Sequence, residues 1–290
     1  MRRERLISTT TAGFAKFGCT EEIIKLLKES GFSAFDLSMT REGGEGAARF
    51  VESDDYLENA RKLRAYADGI GIVCNQTHAP FASAKKGDDA YNAAMMPKLK
   101  RAIETSGVLG ARVCVVHPCN DYSPEENAER VYLPLVDAAR KANVKIGVEN
   151  MWNRDEARHV FAPAACSSAE NYLRHMRLLP KDVFVANLDV GHAELRGMQT
   201  SACALAEALG EYFQSVHLHD VNFFNDTHTL PFTENIDYEK LIDTMKKVKY
   251  GGDVTLECVC FVDKFPKPLM PSAAKLMADV AAYIKNRLDE

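Results

Sequence analysis

The strongest constraint on this 290-residue chain is an eightfold alternation of short β-rich runs with longer helical ones. Leu6-Ile7-Ser8 opens the first strand; Thr20, followed by Glu21 and Glu22, reads as the N-cap and acidic first turn of a helix that Gly31 ends. Phe32–Leu37, Gly71–His78, Ala111–His117, Val144–Glu149, Val183–Asp189, Tyr212–His217 and Val254–Cys258 read as the other strands. Helices are expected over Asp55–Gly69, Asp88–Leu109, Ser123 to about Ala142, Ser168 to about Leu178, Ala202–Leu209, Asp237–Val248 and Ser272 to about Leu288. Gly110 stands where a left-handed turn ends a helix, and Ser123-Pro124-Glu125-Glu126 supplies a cap, an N1 proline and an acidic turn in order. Strands alternating with helices demand a parallel sheet with right-handed crossovers. Eight such units can close into an α/β (β/α)8 barrel, a TIM barrel, which typically takes about 250 residues. An open doubly wound sheet is the rival, but no G-x-G-x-x-G follows the first strand and no linker divides the chain. One domain over residues 1–290 is therefore expected.

Hydrophobic residues make up 46% and charged ones 27%, enough apolar material for a large core. The net charge of −5 and pI near 6.0 give no long-range pull toward nucleic acid or an anionic membrane. Lys246-Lys247-Val248-Lys249 reads as a helix end, where cations complement the dipole. The basic stretch Met1-Arg2-Arg3-Glu4-Arg5 runs into Ser8-Thr9-Thr10-Thr11 where a signal peptide would be apolar, and no run is long enough to span a membrane. Eight cysteines without a C-x-x-C pair imply reduced, mostly buried thiols and a cytoplasmic chain. Nothing in the sequence decides between a monomer and a homo-oligomer.

In a barrel of this type the chemistry collects where strands end and the following loops begin. His78, His117, Glu149, Asp189, His217 and Glu257 close strands three to eight, one each. Period-2 parity points the same way. Val144, Ile146 and Val148 suit the helix-facing layer and turn Glu149 inward; Phe184, Ala186 and Leu188 do so for Asp189, Val216 and Leu218 for His217, and Leu256 and Cys258 for Glu257. Four such groups at one rim would repel or stay unsatisfied with nothing between them, and a divalent cation resolves this. One histidine with three carboxylates suits Mn²⁺, Mg²⁺, Co²⁺ or Zn²⁺ and argues against soft metals.

The densest stretch runs from His217 to His228. Asp226 and His228, two apart, fall on one side of an extended loop, while His219 and Asp220 are candidates to support the ligands rather than join them. His192, three residues after Asp189, is a candidate substrate or second-metal contact. Phe81 and Trp152 follow His78 and Glu149 on the catalytic face and are candidates to pack against a substrate, as is Phe14 after strand one. His159 and His175 are expected at the surface, and Cys258 and Cys260, sharing a face, in buried packing.

Thr77-His78-Ala79-Pro80-Phe81, Val116-His117-Pro118, Gly147-Val148-Glu149-Asn150, Asp189-Val190-Gly191-His192, His217-Leu218-His219-Asp220, Asp226-Thr227-His228 and Leu256-Glu257 resemble, in order, the signature segments of the xylose isomerase-like TIM barrel superfamily. That group contains sugar and sugar-phosphate isomerases and epimerases, keto-inositol dehydratases, hydroxypyruvate isomerases and metal-dependent AP-site endonucleases. Resemblance to its ketose 3-epimerases implies Glu149, Asp189, His217 and Glu257 as metal ligands, with Mn²⁺ the first choice. It also implies Glu149 and Glu257 as an acid/base pair on opposite sides of the substrate, working through a metal-stabilised enediolate, and His192 as a substrate-oxygen contact. Resemblance to the endonucleases implies nine ligands for three zinc ions, on His78, His117, Glu149, Asp189, His192, His217, Asp226, His228 and Glu257. Against DNA stand the acidic net charge and the loops after strands one to three, where Glu42, Glu45, Asp88 and Asp89 cancel Arg41, Lys85 and Lys86. The expected function is thus a metal-dependent isomerase or epimerase of a small sugar, keto-polyol or sugar phosphate. The alternatives are an AP-site endonuclease, a keto-inositol dehydratase and a non-catalytic, metal-containing sugar-binding barrel.

Overall fold

The computed structural model describes residues 4–41 and 44–290; Met1, Arg2, Arg3 and Glu42, which entered the charge argument, lie outside them. Strands β2 (Ala34–Ser38), β3 (Val73–His78), β4 (Val113–Val116), β5 (Lys145–Glu149), β8 (Phe184–Asp189) and β9 (Phe213–His217) hydrogen-bond in that order, all parallel. β1 (Ile7–Thr9) pairs in parallel with β10 (Val254–Leu256), and the bridges Thr10–Asp36 and Leu218–Leu256 join this pair to both edges of the sheet. The eight strands therefore close into the expected TIM barrel. Helices α1 (Thr20–Ser30), α2 (Tyr56–Ile70), α3 (Asp89–Leu109), α4 (Pro124–Asn127), α5 (Val136–Ala142), α6 (Ala169–Arg177), α7 (Val190–Glu194), α8 (Ala202–Leu209), α9 (Tyr238–Lys247), α10 (Val259–Asp263) and α11 (Met270–Asp289) fill the connections.

Alternation along the strands sorts the core into two layers of different chemistry. Ile146, Val148, Phe184, Ala186, Leu188, Val216, Leu218 and Leu256 face the helices and are buried in one large apolar cluster. Inside the barrel the apolar contribution shrinks to a cluster of Val113, Val115 and Val185. Polar side chains surround it: Ser8 donates to Thr255 Oγ1 at 3.0 Å, Asn75 to Asp253 at 3.3 Å, and Ser215 to Gln76 Oε1.

Four expectations need correction. The helix from Ser123 is broken: after α4 the chain makes a π-helical turn (Ala128–Tyr132) and a 3₁₀ turn (Leu133–Leu135) before α5, because Pro134 offers no backbone N–H to a continuous α-helix. The last strand stops at Leu256, so Cys258 stays buried but Cys260, carried outward on α10, is exposed. Phe14 is fully buried and packs in the core instead of facing a substrate. His175 is not at the surface. It is 1% exposed, and its ring joins Asn171 O (2.9 Å, from Nδ1) to the Asn127 amide (3.1 Å, at Nε2). Asn127 in turn clasps both backbone groups of Cys119, fixing the loop after β4. His159, as expected, is exposed.

Burial pushes the His175 imidazole below its ordinary pKa, so the folded protein keeps it neutral. The unfolded chain takes up a proton there as pH falls below about 6.5, and the folded chain does not. His175→Phe should cost about 1–3 kcal/mol at pH 8 through the polar groups it abandons. The gap between wild type and variant should narrow as pH drops from 7 to 5; urea unfolding followed by circular dichroism measures it, and a gap that widens toward acid contradicts a neutral His175.

Candidate active site

The sheet delivers the expected side chains to one rim. His78, Glu149, Asp189 and His217 are the last residues of β3, β5, β8 and β9, and His117 and Glu257 directly follow β4 and β10. Loops add the rest: α7 brings His192, and the segment after β9 folds back so that Asp220 and Thr229 exchange backbone hydrogen bonds, returning Asp226 and His228 to the rim.

These residues assemble into three groups of potential ligands, each with its donor atoms within 4.8 Å of one another. The first is Glu149, Asp189, His217 and Glu257. His217 Nδ1 lies 3.3 Å from Glu149 Oε2, 3.5 Å from Glu257 Oε2 and 3.9 Å from Asp189 Oδ2. The second is His78, His117 and Glu149, with the two Nε2 atoms 3.0 Å apart and Glu149 Oε2 at 3.9 and 3.7 Å from them. The third is His192, His219, Asp226 and His228, in which Asp226 Oδ2 lies 3.3 Å from His192 Nε2 and 3.2 Å from His228 Nε2. All nine residues singled out from the sequence are thus brought together, and His219 joins them.

Backbone carbonyls orient the rings. Nδ1 of His78, His192 and His228 lies 2.8, 2.9 and 3.0 Å from the carbonyl oxygens of Ala79, Asn150 and Glu257. A carbonyl only accepts, so each Nδ1 carries its proton and Nε2 is the atom aimed at the neighbouring donors. This is the arrangement that fixes metal-binding imidazoles. Asn150 also ties the ends of β5 and β8 by exchanging hydrogen bonds with the Asp189 backbone. His219 Nε2 reaches Asp189 Oδ1 at 2.9 Å, and its ring stacks on His228 at 3.8 Å. Asp220 faces away, accepting from the backbone of Val221, Glu234 and Ile236 to shape the loop.

The charges alternate across the cluster. Burial alone would raise the Glu149 carboxyl, but the imidazoles of His217 and His117 bring it down to about 2. Asp189 and Asp226 are likewise held low despite burial, by His192 with His219 and by His228 with His192. In return, and again against burial, Glu257 with Glu149 raises His217, Asp189 with Asp226 raises His192, and Asp226 lifts His228 to about 10. Burial dominates at His117, pushing it down to about 3. Carboxylates buried this deeply stay ionised only against positive charge, and a divalent cation supplies that charge without protons. Buried polar atoms without partners sit around the groups, among them His219 Nδ1, Asp226 Oδ1 and Asn187 Oδ1, so the donor set fits a cation.

The rim opens into a cavity of about 410 Å³ lined by His78, Phe81, His117, Asn120, Glu149, Met151, Trp152, Asn153, His192, Asp226, His228 and Glu257. Phe81, 45% exposed, stacks on His117 at 5.0 Å. Trp152 donates its indole N–H to Asp226 Oδ2 at 2.9 Å from a hairpin of β6 (Trp152–Asp155) and β7 (Val160–Pro163), which the sequence suggests only as a loop. Sequence reasoning also missed Asn187, whose amide donates to Glu149 Oε2 at 3.1 Å and faces His217 Nδ1 at 3.2 Å. Its parity with Asp189 was the available signal.

Gly191 has a steric role here: a Cβ at this position would lie 2.0 Å from His219 Cε1. Helix propensity alone favours alanine by roughly 1 kcal/mol. The clash should reverse that sign, so Gly191→Ala is expected to destabilise by about 1–3 kcal/mol as the His219 ring leaves Asp189. Thermal unfolding measures the change, and an unchanged or higher Tm would mean that the ring moves freely.

Comparison with known proteins agrees with this architecture. An uncharacterized protein of Methanocaldococcus jannaschii is 25% identical over 192 residues, which span 62% of this chain and 62% of that protein, less than two thirds of its length. Among solved structures, a D-tagatose 3-epimerase-like protein superposes with a TM-score of 0.72 at 20% identity, covering 97% of this chain and 98% of the other. The D-allulose 3-epimerase of a Methylomonas species, in complex with D-allulose, gives 0.73 at 13% identity over 99% and 98%. At such identities these likenesses speak for the fold alone. The sequence profile of the xylose isomerase-like TIM barrel family matches residues 24–286, and the chain belongs to that family.

Proposed function

We propose that the chain is a divalent-metal-dependent isomerase or epimerase of a small sugar, keto-polyol or sugar phosphate. The observation that carries this reading is the pair Glu149 and Glu257. Both carboxylates converge on His217 Nδ1, at 3.3 and 3.5 Å, and both line a cavity sized for a small molecule. The solved neighbours include D-tagatose 3-epimerase-like, D-allulose 3-epimerase and L-ribulose 3-epimerase structures, which supports a sugar substrate.

Glu149, Asp189, His217 and Glu257 would hold the ion, with Mn²⁺ the first choice for a set of three carboxylates and one imidazole. Bound there, it would polarise a substrate carbonyl and acidify the neighbouring C–H. Glu149 Oε2 is engaged by Asn187 and His217, which leaves Oε1 to take the proton from carbon. Glu257 returns a proton from the other side, inverting the centre or shifting the carbonyl. His192 contacts a substrate oxygen, and Phe81 and Trp152 wall the cavity against water.

A second reading, hydrolysis of a phosphoester as at an abasic DNA site, is favoured by the three donor groups joined through Glu149 and His192. Against it, no lysine or arginine lines the cavity among the described residues, and three cations of the loops after β2 and β3 and of α3 are paired. Arg41 and Lys98 contact Glu52 at 3.7 and 2.6 Å, and Lys86 contacts Glu126 at 3.2 Å.

The two readings separate in one set of assays. A ketose incubated with the Mn²⁺-loaded protein in D₂O should gain deuterium at the carbon next to the carbonyl, and chelation should stop the exchange. Glu149→Gln and Glu257→Gln should each slow it by about 10²–10⁴-fold. Full exchange by Glu257→Gln would sink the two-carboxylate mechanism, and cleavage of an abasic duplex without exchange into any sugar would install the hydrolase instead.

A further inference from the structure

His217 differs from the other ordered imidazoles of the rim in the atom it presents. His78, His192 and His228 aim Nε2 at their donor groups and rest Nδ1 on a backbone carbonyl. His217 aims Nδ1, so its Nε2 points down into the barrel, where the strand carbonyls are engaged in the sheet. The acidic group facing that nitrogen is Asp36, from the middle of β2: Oδ2 lies 3.6 Å from His217 Nε2, and both residues are 0% exposed. Neither His217 Nε2 nor Asp36 Oδ1 has a hydrogen-bond partner.

We propose that Asp36 is the positioning residue for His217, a carboxylate beneath the metal centre that keeps the proton on Nε2 and the lone pair on Nδ1. Two further contacts point to this assignment. Asn187 Nδ2, an amide donor, lies 3.2 Å from His217 Nδ1, which therefore accepts. Below, Ser215 donates to Gln76 Oε1, which turns the Gln76 amide toward Asp36 Oδ2 at 3.5 Å. Ser215 precedes His217 by two on β9, so His217, Asp36, Gln76 and Ser215 form a polar ring across β9, β2 and β3. Among the described residues no lysine or arginine pairs with Asp36; the groups facing its Oδ2 are the His217 ring and the Gln76 amide. A buried carboxylate in that position orients the ring and raises the basicity of the nitrogen on its far side.

The inference rests on the reading of His217 as a metal ligand, and the test keeps the two apart. Co²⁺ affinity is measured for the wild type and Asp36→Asn by competition with a chromophoric chelator, with circular dichroism and Tm as controls for folding. The Nε2 proton of His217 is followed by ¹⁵N-edited NMR in metal-free and Zn²⁺-loaded protein. Asp36→Asn is expected to weaken Co²⁺ binding about 10–100-fold while remaining folded, and the wild type to show a slowly exchanging Nε2 proton that shifts in the variant. A wild type that binds no Co²⁺ overturns the metal reading. A folded Asp36→Asn with wild-type affinity overturns only the role of Asp36. Should Asp36→Asn fail to fold, the wild-type spectrum decides: a His217 joined to Zn²⁺ through Nε2, or lacking an Nε2 proton, refutes the assignment.

Discussion

The rim depends on the contact between Glu149 and the imidazoles around it. Its Oε2 atom lies 3.3 Å from His217, 3.7 Å from His117 and 3.9 Å from His78, at 1% exposure. A carboxylate taken out of water at this depth costs several kcal/mol unless positive charge and hydrogen bonds meet it. Glu149 belongs to two donor groups at once, so its charge must be answered from both sides. The surrounding construction follows from that need: β8 contributes the Asn187 amide, β9 the His217 ring, the end of β3 the His78 ring and the residue after β4 the His117 ring. Among those rings, His78 takes its orientation from the backbone carbonyl of Ala79.

The same demand explains why the barrel interior is polar. Barrels of this type are ordinarily filled with layers of branched apolar side chains. Here, among the described residues, Val113, Val115 and Val185 form such a cluster, because the level beneath the rim presents acceptors and donors to the undersides of the polar side chains above it. Asp36, Gln76 and Ser215 do so below His217, and Ser8, Asn75 and Thr255 continue the network toward the opposite mouth. Cohesion falls to the outer layer, where the apolar faces of the strands meet the helices.

How far this was legible in the sequence follows from the range of the forces involved. Strand parity and the strand-end position locate Glu149, Asp189, His217 and Glu257, because period-2 alternation is local and the helix-facing layer is uniformly apolar. Asn187 obeys the same rule and was readable, as was Asp36, a lone charge in the apolar run Phe35-Asp36-Leu37. The residues of the third group were singled out as well, but nothing local in the sequence shows how they meet. His192 and Asp226 are far apart in the chain, and their meeting depends on how Asp220 folds the loop after β9 through three backbone hydrogen bonds. Nor does helical pattern reveal that His175 turns inward to hold Asn127, or that the chain after Glu149 forms a hairpin delivering Trp152 to Asp226.

Charge counting weighs the two chemistries against each other. The donor groups contain four carboxylates, Glu149, Asp189, Asp226 and Glu257. One divalent ion balances two of them, and protons on His192 and His228, which flank Asp226 and are both raised, balance the others. The four carboxylates of the donor groups are then balanced, with no surplus positive charge among them to draw an anion. Three divalent ions would displace those protons and overshoot the four carboxylates by two positive charges, which an anion such as a phosphodiester would have to balance. The His192, Asp226 and His228 cluster is therefore where the two readings divide: with protons it would accompany a single ion and leave the four carboxylates balanced, and with metal it would add positive charge that an anion has to answer.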